Sequence, residues 1–197
     1  MSEIQVNKIS PATSTDITLG DSGDTFTVPS GATFVNSGTA TGFGGGKIGQ
    51  VLTTQNTAVE STTSSTFATI TDLSVDITPT ATDSKIWVVS SLQLSRLIQH
   101  CHFELMRDST PIGIGDADGS RERCSFSVCE GGTNEGLACF PNEFTWLDSP
   151  SSTSAITYSW KWRITGDTIY LNRSEDDSDH SNYPRCASSI TVMEVLA

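Results

Sequence analysis

The stretch from residue 16 to residue 43, DITLGDSGDTFTVPSGATFVNSGTATGF, limits what this chain can fold into more than any other. Its apolar residues come as short alternating pairs: Ile17 with Leu19, Phe26 with Val28, and Ala32 with Phe34. Each pair is followed by a cluster of turn residues, Gly20-Asp21-Ser22-Gly23, Pro29-Ser30-Gly31 or Asn36-Ser37-Gly38. Period-two alternation reads as strand, and such clusters read as reversals. A rung of this kind offers only a pair of inward side chains, and even an isolated hairpin is marginal in water. The expectation is a quasi-repetitive β shaft whose core is built by several chains together, as repeat architectures bury their faces against neighbours. Ile17, Leu19, Phe26, Val28 and Phe34 are its candidate core. The competing reading is a flexible linker, since 22 of the first 46 residues are Ser, Thr or Gly. The phase of the apolar pairs, set just before the turn residues, favours the shaft.

Gly44-Gly45-Gly46 has the least restricted backbone available and marks a boundary. Three regions are expected: a leading segment 1–15, the shaft 16–46 and a larger domain 47–197. In the first, Ile4-Gln5-Val6 is one brief alternation, suited to adding an edge strand to a partner's sheet, with a frayed end as the alternative. In the third, strands are expected from Ile48 to Thr54, Ser65 to Thr71, Leu73 to Thr78, Ser84 to Leu94, Leu97 to Arg107, Cys124 to Cys129 and Leu137 to Leu147. Further strands follow from Ala155 to Ile164, Thr168 to Leu171 and Ser188 to Leu196. Ile86-Trp87-Val88-Val89 reads as apolar on both faces, and Leu97 to Arg107 also fits helical spacing. The clearest strand places Ile156, Tyr158, Trp160, Trp162 and Ile164 on one face, which must be covered. Gly166-Asp167 reads as the turn of a hairpin joining it to the next strand. Roughly eight to ten strands in a region of this length fit one antiparallel β-sandwich.

Acids outnumber bases by 23 to 11, for a net charge of −12, which repels nucleic acid. No apolar run is long enough for a membrane helix, and the N-terminal residues do not read as a secretory signal, so a soluble protein made in a cytoplasm is expected. The five cysteines, Cys101, Cys124, Cys129, Cys139 and Cys186, form no CxxC pair and are expected to be free thiols; a Cys124–Cys129 disulfide is the alternative.

With these stretches placed, the chain resembles the short fibre or spike proteins of tailed bacteriophages, of the marine and cyanobacterial type. The resemblance rests on GDTFTVPSGATFVNSG, on Ile48-Gly49-Gln50-Val51-Leu52, and on Ile77-Thr78-Pro79 through Ser84-Lys85-Ile86. It continues through Leu147-Asp148-Ser149-Pro150, Ala155-Ile156-Thr157-Tyr158, Tyr170-Leu171-Asn172-Arg173 and Ser189-Ile190-Thr191-Val192-Met193-Glu194-Val195. It implies a homotrimer in the virion, assembled in the host cytoplasm, with the N-terminus (Ile4, Val6) docked on other virion proteins. It further implies a β-helical or β-prism shaft and a C-terminal jelly-roll knob that adheres to a host-surface glycan or protein. A capsid decoration protein without a receptor is the alternative, and a glycan-degrading enzyme the third reading.

The sequence carries no HExxH, GxSxG, P-loop or dinucleotide motif, so no enzyme, cofactor or metal is expected. His100, His102 and Glu104 share one face of a strand and read as a polar strip, with a ring of imidazoles on a trimer axis as the alternative. Asp116 and Asp118 begin like a calcium loop but lack its later ligands, and read as a turn. Asn172-Arg173-Ser174 matches a glycosylation sequon by pattern alone. The polar loop Asp176, Asp177, Asp179, His180, Tyr183 offers carboxylates, an imidazole and an aromatic ring, the groups that hold sugars, and is the candidate host contact; a solvated acidic loop is its competing reading.

Overall fold

Alternation decides which face of each strand is buried, and long-range pairing decides what buries it. In the computed structural model the described residues are 9, 21–25, 27–33, 35, 47–95, 100–129 and 137–196. Ile4, Val6, Ile17, Leu19, Phe26 and Phe34 lie outside them. The chain divides into two compact units, Met1–Phe43 and Gly44–Ala197. In the first, Asp24 N donates to Asp21 O at 3.0 Å and Ala32 N donates to Pro29 O at 3.1 Å. Both turns have glycine at their third position, Gly23 with φ 100° and Gly31 with φ 85°, a backbone that side chains with a Cβ rarely adopt. Val28 is exposed.

Among the described residues the second unit contains strands and no helix. The strands are β1 (Ile48–Asn56), β2 (Glu60–Thr62), β3 (Ala68–Ile77), β4 (Lys85–Ser95), β5 (Cys101–Arg107) and β6 (Thr110–Ile112), then β7 (Phe126–Val128), β8 (Phe140–Asp148), β9 (Ile156–Ile164), β10 (Ile169–Leu171) and β11 (Ser188–Val195). They form two antiparallel sheets. In the first, β4 is central: β11 pairs with residues 85–91 on one edge and β10 follows on Leu94 and Ser95, while β8 pairs along the other edge. β1 flanks β11 and β2 flanks β10. In the second sheet β9 lies between β3 and β5, and the other edge of β5 carries β7 and β6 in succession.

The core lies between the sheets. Ile156, Tyr158, Trp160, Trp162 and Ile164 of β9 are all buried, as expected, and meet Ile86, Val88, Leu92 and Leu94 of β4 and Ile190 and Val192 of β11 in one cluster. Trp160 is its centre: Phe126 and Phe144 meet its ring edge to face, at 5.4 and 5.5 Å between centroids, and Phe103 stacks on Phe126 at 4.5 Å. The polar end of Tyr158 is accommodated by Asp148, which accepts its hydroxyl at 2.7 Å and pairs with Arg107 at 3.0 Å. Burial, and then the hydrogen bond to Asp148, raise the Tyr158 phenol well above its usual range.

Three local readings change in three dimensions. Thr165 to Thr168 does not close a hairpin, because β9 belongs to the second sheet and β10 to the first, where it pairs with β4 and β2. The turn, with Gly166 at φ 90°, carries the chain across the sandwich. The strands expected from Ser65 to Thr71 and from Leu73 to Thr78 are one strand, β3, with a register shift between Thr69 and Ser74 and Asp72 at φ 53°. The bulge lets Ile70 and Leu73, three apart, both face the core, which strict alternation forbids. Finally, β4 is buried on one face only: Trp87 is 42% exposed.

Glu194 is fully buried on β11 among neutral donors: Thr80 N at 2.6 Å, Thr80 Oγ1 at 2.7 Å and Gln50 Nε2 at 2.8 Å. Burial raises its pKa, but these hydrogen bonds, from Thr80 first and then Gln50, outweigh that and hold it below the usual value. A depressed folded pKa means that the stabilisation is present above the unfolded value and lost on acidification. Stability is therefore expected to fall below about pH 4.5 and on through the lower folded pKa. In Glu194→Gln this acid dependence should flatten, with roughly 2–4 kcal/mol lost at neutral pH, as pH-resolved urea titrations would show.

Candidate functional site

The polar loop is shaped by what anchors its ends. Asn172, just after β10, is fully buried at φ 62°. Its Nδ2 donates to Asn56 O at 2.8 Å and Ala58 O at 2.9 Å, and its Oδ1 accepts from Ser188 Oγ at 2.7 Å. Its backbone N donates to Gln93 O at 2.9 Å, and its carbonyl accepts from Cys186 N at 3.0 Å. The sequon is thereby accounted for: a buried amide with both hydrogens engaged is no glycosylation acceptor in the folded protein. Arg173 and Arg185 then face each other in an isolated antiparallel bridge that closes the neck of the loop.

Beyond the neck, Asp177 is clasped between two guanidiniums, Arg173 at 3.3 Å and Arg185. Arg173 is itself fixed over the Tyr170 ring, 4.2 Å from its centroid. Asp176 accepts from the backbone and hydroxyl of Ser178 at 3.0 and 2.6 Å. Those two bonds hold its carboxyl below the usual range, and the hydrogen bond to Asp176 raises the phenol of Tyr183. His180 lies beside Tyr183 with ring centroids 5.7 Å apart. The result is an open recess of about 230 Å³ lined by Asp177, Ser178, Asp179, His180, Tyr183 and Arg185. Four of the five candidate contact residues meet there, and Asp176 braces the recess from within the loop. Sequence reasoning missed Arg173 and Arg185, which turn an acidic loop into an ordered ion cluster; the only signal was a pair of arginines bracketing the acidic run.

The recess presents carboxylate, hydroxyl, imidazole, phenol and guanidinium groups in one shallow space, suited to a small hydroxyl-rich ligand. It is smaller than the roughly 300–1,000 Å³ of drug-sized sites. With two guanidiniums against it, Asp177 braces the recess through its ion pairs.

The other candidates part ways. On the outer face of β5, His102 and Glu104 are half-buried, while Cys101, Phe103 and Leu105 point into the core, as the alternation requires. His102 Nδ1 lies 3.7 Å from Cys124 Sγ. Burial, then Arg163, lowers the imidazole; burial, then Glu122, raises the thiol. A neutral imidazole beside a protonated thiol is the opposite of an activated nucleophile. Among the described residues no group of three or more His, Cys, Asp or Glu is placed to hold a metal ion. Asp116 and Asp118 are exposed, and Asp118 pairs with Arg121 at 3.1 Å across a turn closed by Gly119 at φ 58°.

A second surface lies on the outer face of the first sheet. Register sets Val51 opposite Met193, Met193 opposite Trp87, and Trp87 opposite Leu147, an apolar row across four strands. Val51 is 57% exposed and Leu147 49%. Of the outward residues on β1, β11, β4 and β8, only Lys85 and Glu143 are charged, a sharp contrast with the net charge of −12.

These observations define an all-β domain of two antiparallel sheets, with a polar recess at one loop and an uncovered apolar row on one sheet. Set against known protein families and characterised proteins, the chain matches no family model and no individual sequence. Among the described residues no helix is long and apolar enough to cross a membrane.

Proposed function

We propose that this chain is the subunit of a homotrimeric virion fibre or spike of the tailed-bacteriophage type, with a β shaft and a jelly-roll knob that adheres to a host surface. The knob reading is supported by the nesting of the strand pairs: β1 with β11, β2 with β10, β3 with β9, β4 with β8, and β5 with β7. First pairs with last and each later strand with its mirror image, the order produced by rolling up one long antiparallel hairpin. That architecture serves in viral capsid and lectin domains.

The observation that carries the assembly is the apolar row Val51–Met193–Trp87–Leu147. A contiguous apolar surface rimmed by polar residues marks an interaction site. In a chain of net charge −12, a nearly uncharged face is where copies approach with least repulsion. The turn-punctuated first unit adds a second demand for neighbours, because Val28 is exposed in the single chain. Contact with the host is assigned to the recess around Asp177, Asp179 and Tyr183, repeated in each subunit so that weak single sites gain avidity.

Light scattering on the full chain is expected to give three copies, and Trp87→Asp with Leu147→Asp to shift it to smaller species that still unfold cooperatively. A monomeric wild-type protein would sink the reading. Asp177→Ala, Asp179→Ala and Tyr183→Ala together should leave the trimer intact and reduce adsorption of particles at least tenfold. An N-terminal label on capsid vertices or faces, with adsorption unchanged, would favour a decoration protein instead.

A further inference from the structure

None of the five cysteines is joined in a disulfide, and two of them lie close together. Cys139 stands immediately before β8, and Cys186 follows Arg185 at the neck of the polar loop. They are far apart in sequence, yet Cys139 Sγ lies 4.0 Å from Pro184 O, two residues before Cys186, and the two thiols interact. Both are half-buried, open enough to react. The rest are placed differently. Cys101 is sealed in the core, Cys124 faces His102, and Cys129 is exposed beyond β7. The nearest pair in sequence, Cys124 and Cys129, flanks a strand and is not the pair in contact.

We infer that Cys139 and Cys186 are a redox pair that closes to a disulfide in an oxidising medium, tying the neck of the polar loop to the start of β8. With oxidised glutathione the step balances as follows. One cysteine thiolate attacks the glutathione disulfide, forming a mixed disulfide and releasing one glutathione thiolate. The second cysteine, as its thiolate, then attacks the first cysteine's own Sγ, so that the protein disulfide forms and the second glutathione leaves as its thiolate. Two protein thiols are oxidised and one glutathione disulfide is reduced to two thiols. Burial, and then the hydrogen bond and charge of Cys186, push the Cys139 thiol up to about 12, so closure speeds up as pH rises and its thiolate fraction grows.

The bond would constrain the recess directly, because Arg185, the residue before Cys186, holds Asp177. It would also close a long stretch of chain, which restricts the unfolded state.

The test equilibrates the full chain with oxidised glutathione, then alkylates, digests and maps linked peptides. The expected result is a Cys139–Cys186 peptide, loss of two hydrogens from the intact mass, and a melting temperature roughly 5–10 °C above that of the reduced protein. The rise should vanish in Cys139→Ser and in Cys186→Ser and persist in Cys124→Ser/Cys129→Ser. Full alkylation of both residues after oxidation, a stable glutathione adduct on either, or a Cys124–Cys129 link in their place would each overturn the inference.

Discussion

Trp160→Ala is expected to lower the stability of the folded domain by roughly 3–5 kcal/mol, the range for deleting a large aromatic from a packed core. The side chain is fully buried, opposite Leu105 on the neighbouring strand, with Phe126 and Phe144 meeting it edge to face. Phe144 belongs to the first sheet and Trp160 to the second, so the indole bridges the two layers and its loss leaves a void that neither sheet can fill alone. Each aromatic contact adds about 0.5–1.5 kcal/mol beyond buried area, which places the cost high in the range. The indole Nε1 has no hydrogen-bond partner. Trp160→Phe removes that unpaired donor with the extra ring and is expected to cost less than half as much. Trp87→Ala, outside the core, should change urea unfolding of the isolated subunit by less than about 1 kcal/mol. Equal losses for Trp160→Ala and Trp87→Ala would show that the domain is not organised around Trp160.

Asn172→Ala is the second large effect, again roughly 3–5 kcal/mol, and it arises from polar groups. The substitution leaves the carbonyls of Asn56 and Ala58 and the Ser188 hydroxyl without the partner that now satisfies them, each at about 1–3 kcal/mol when buried. It also puts alanine at φ 62°, a conformation asparagine tolerates better. Asn172→Gly removes the backbone strain but not the lost hydrogen bonds, and should recover only about 1 kcal/mol. The loss should appear in equilibrium unfolding and as faster amide exchange across β10 and the polar loop. If Asn172→Gly restored wild-type stability, the side-chain hydrogen bonds would be shown to contribute nothing.

Local chemistry made much of this readable. The buried face of β9 follows from five apolar residues two apart, because a pleated strand has no other way to place them. The turns at Gly23 and Gly31 follow from glycine where φ is positive. The polar loop was recognisable as a candidate site from composition, and four of its five named residues do line one recess.

What sequence alone determined, then, is the class of element and, for a regularly alternating strand such as β9, the face it buries, since both depend on neighbours one or two residues away. Which strands pair was decided only by the tertiary structure. Gly166-Asp167 looks the same in a hairpin and in a crossing between sheets, and only the inward packing of Ile164 and Ile169 from opposite layers selects the crossing. Ile70 and Leu73 obey a bulge that their spacing alone does not reveal. Trp87 reads as core by type but lies outside, because β4 has a second layer over one face only. Asp177 meets Arg173 and Arg185, and Cys139 meets Cys186, through contacts between residues brought together by the neck of a loop. Such pairs carry no periodic signal: their geometry is set by the sheets that hold both ends of the loop, not by the residues between.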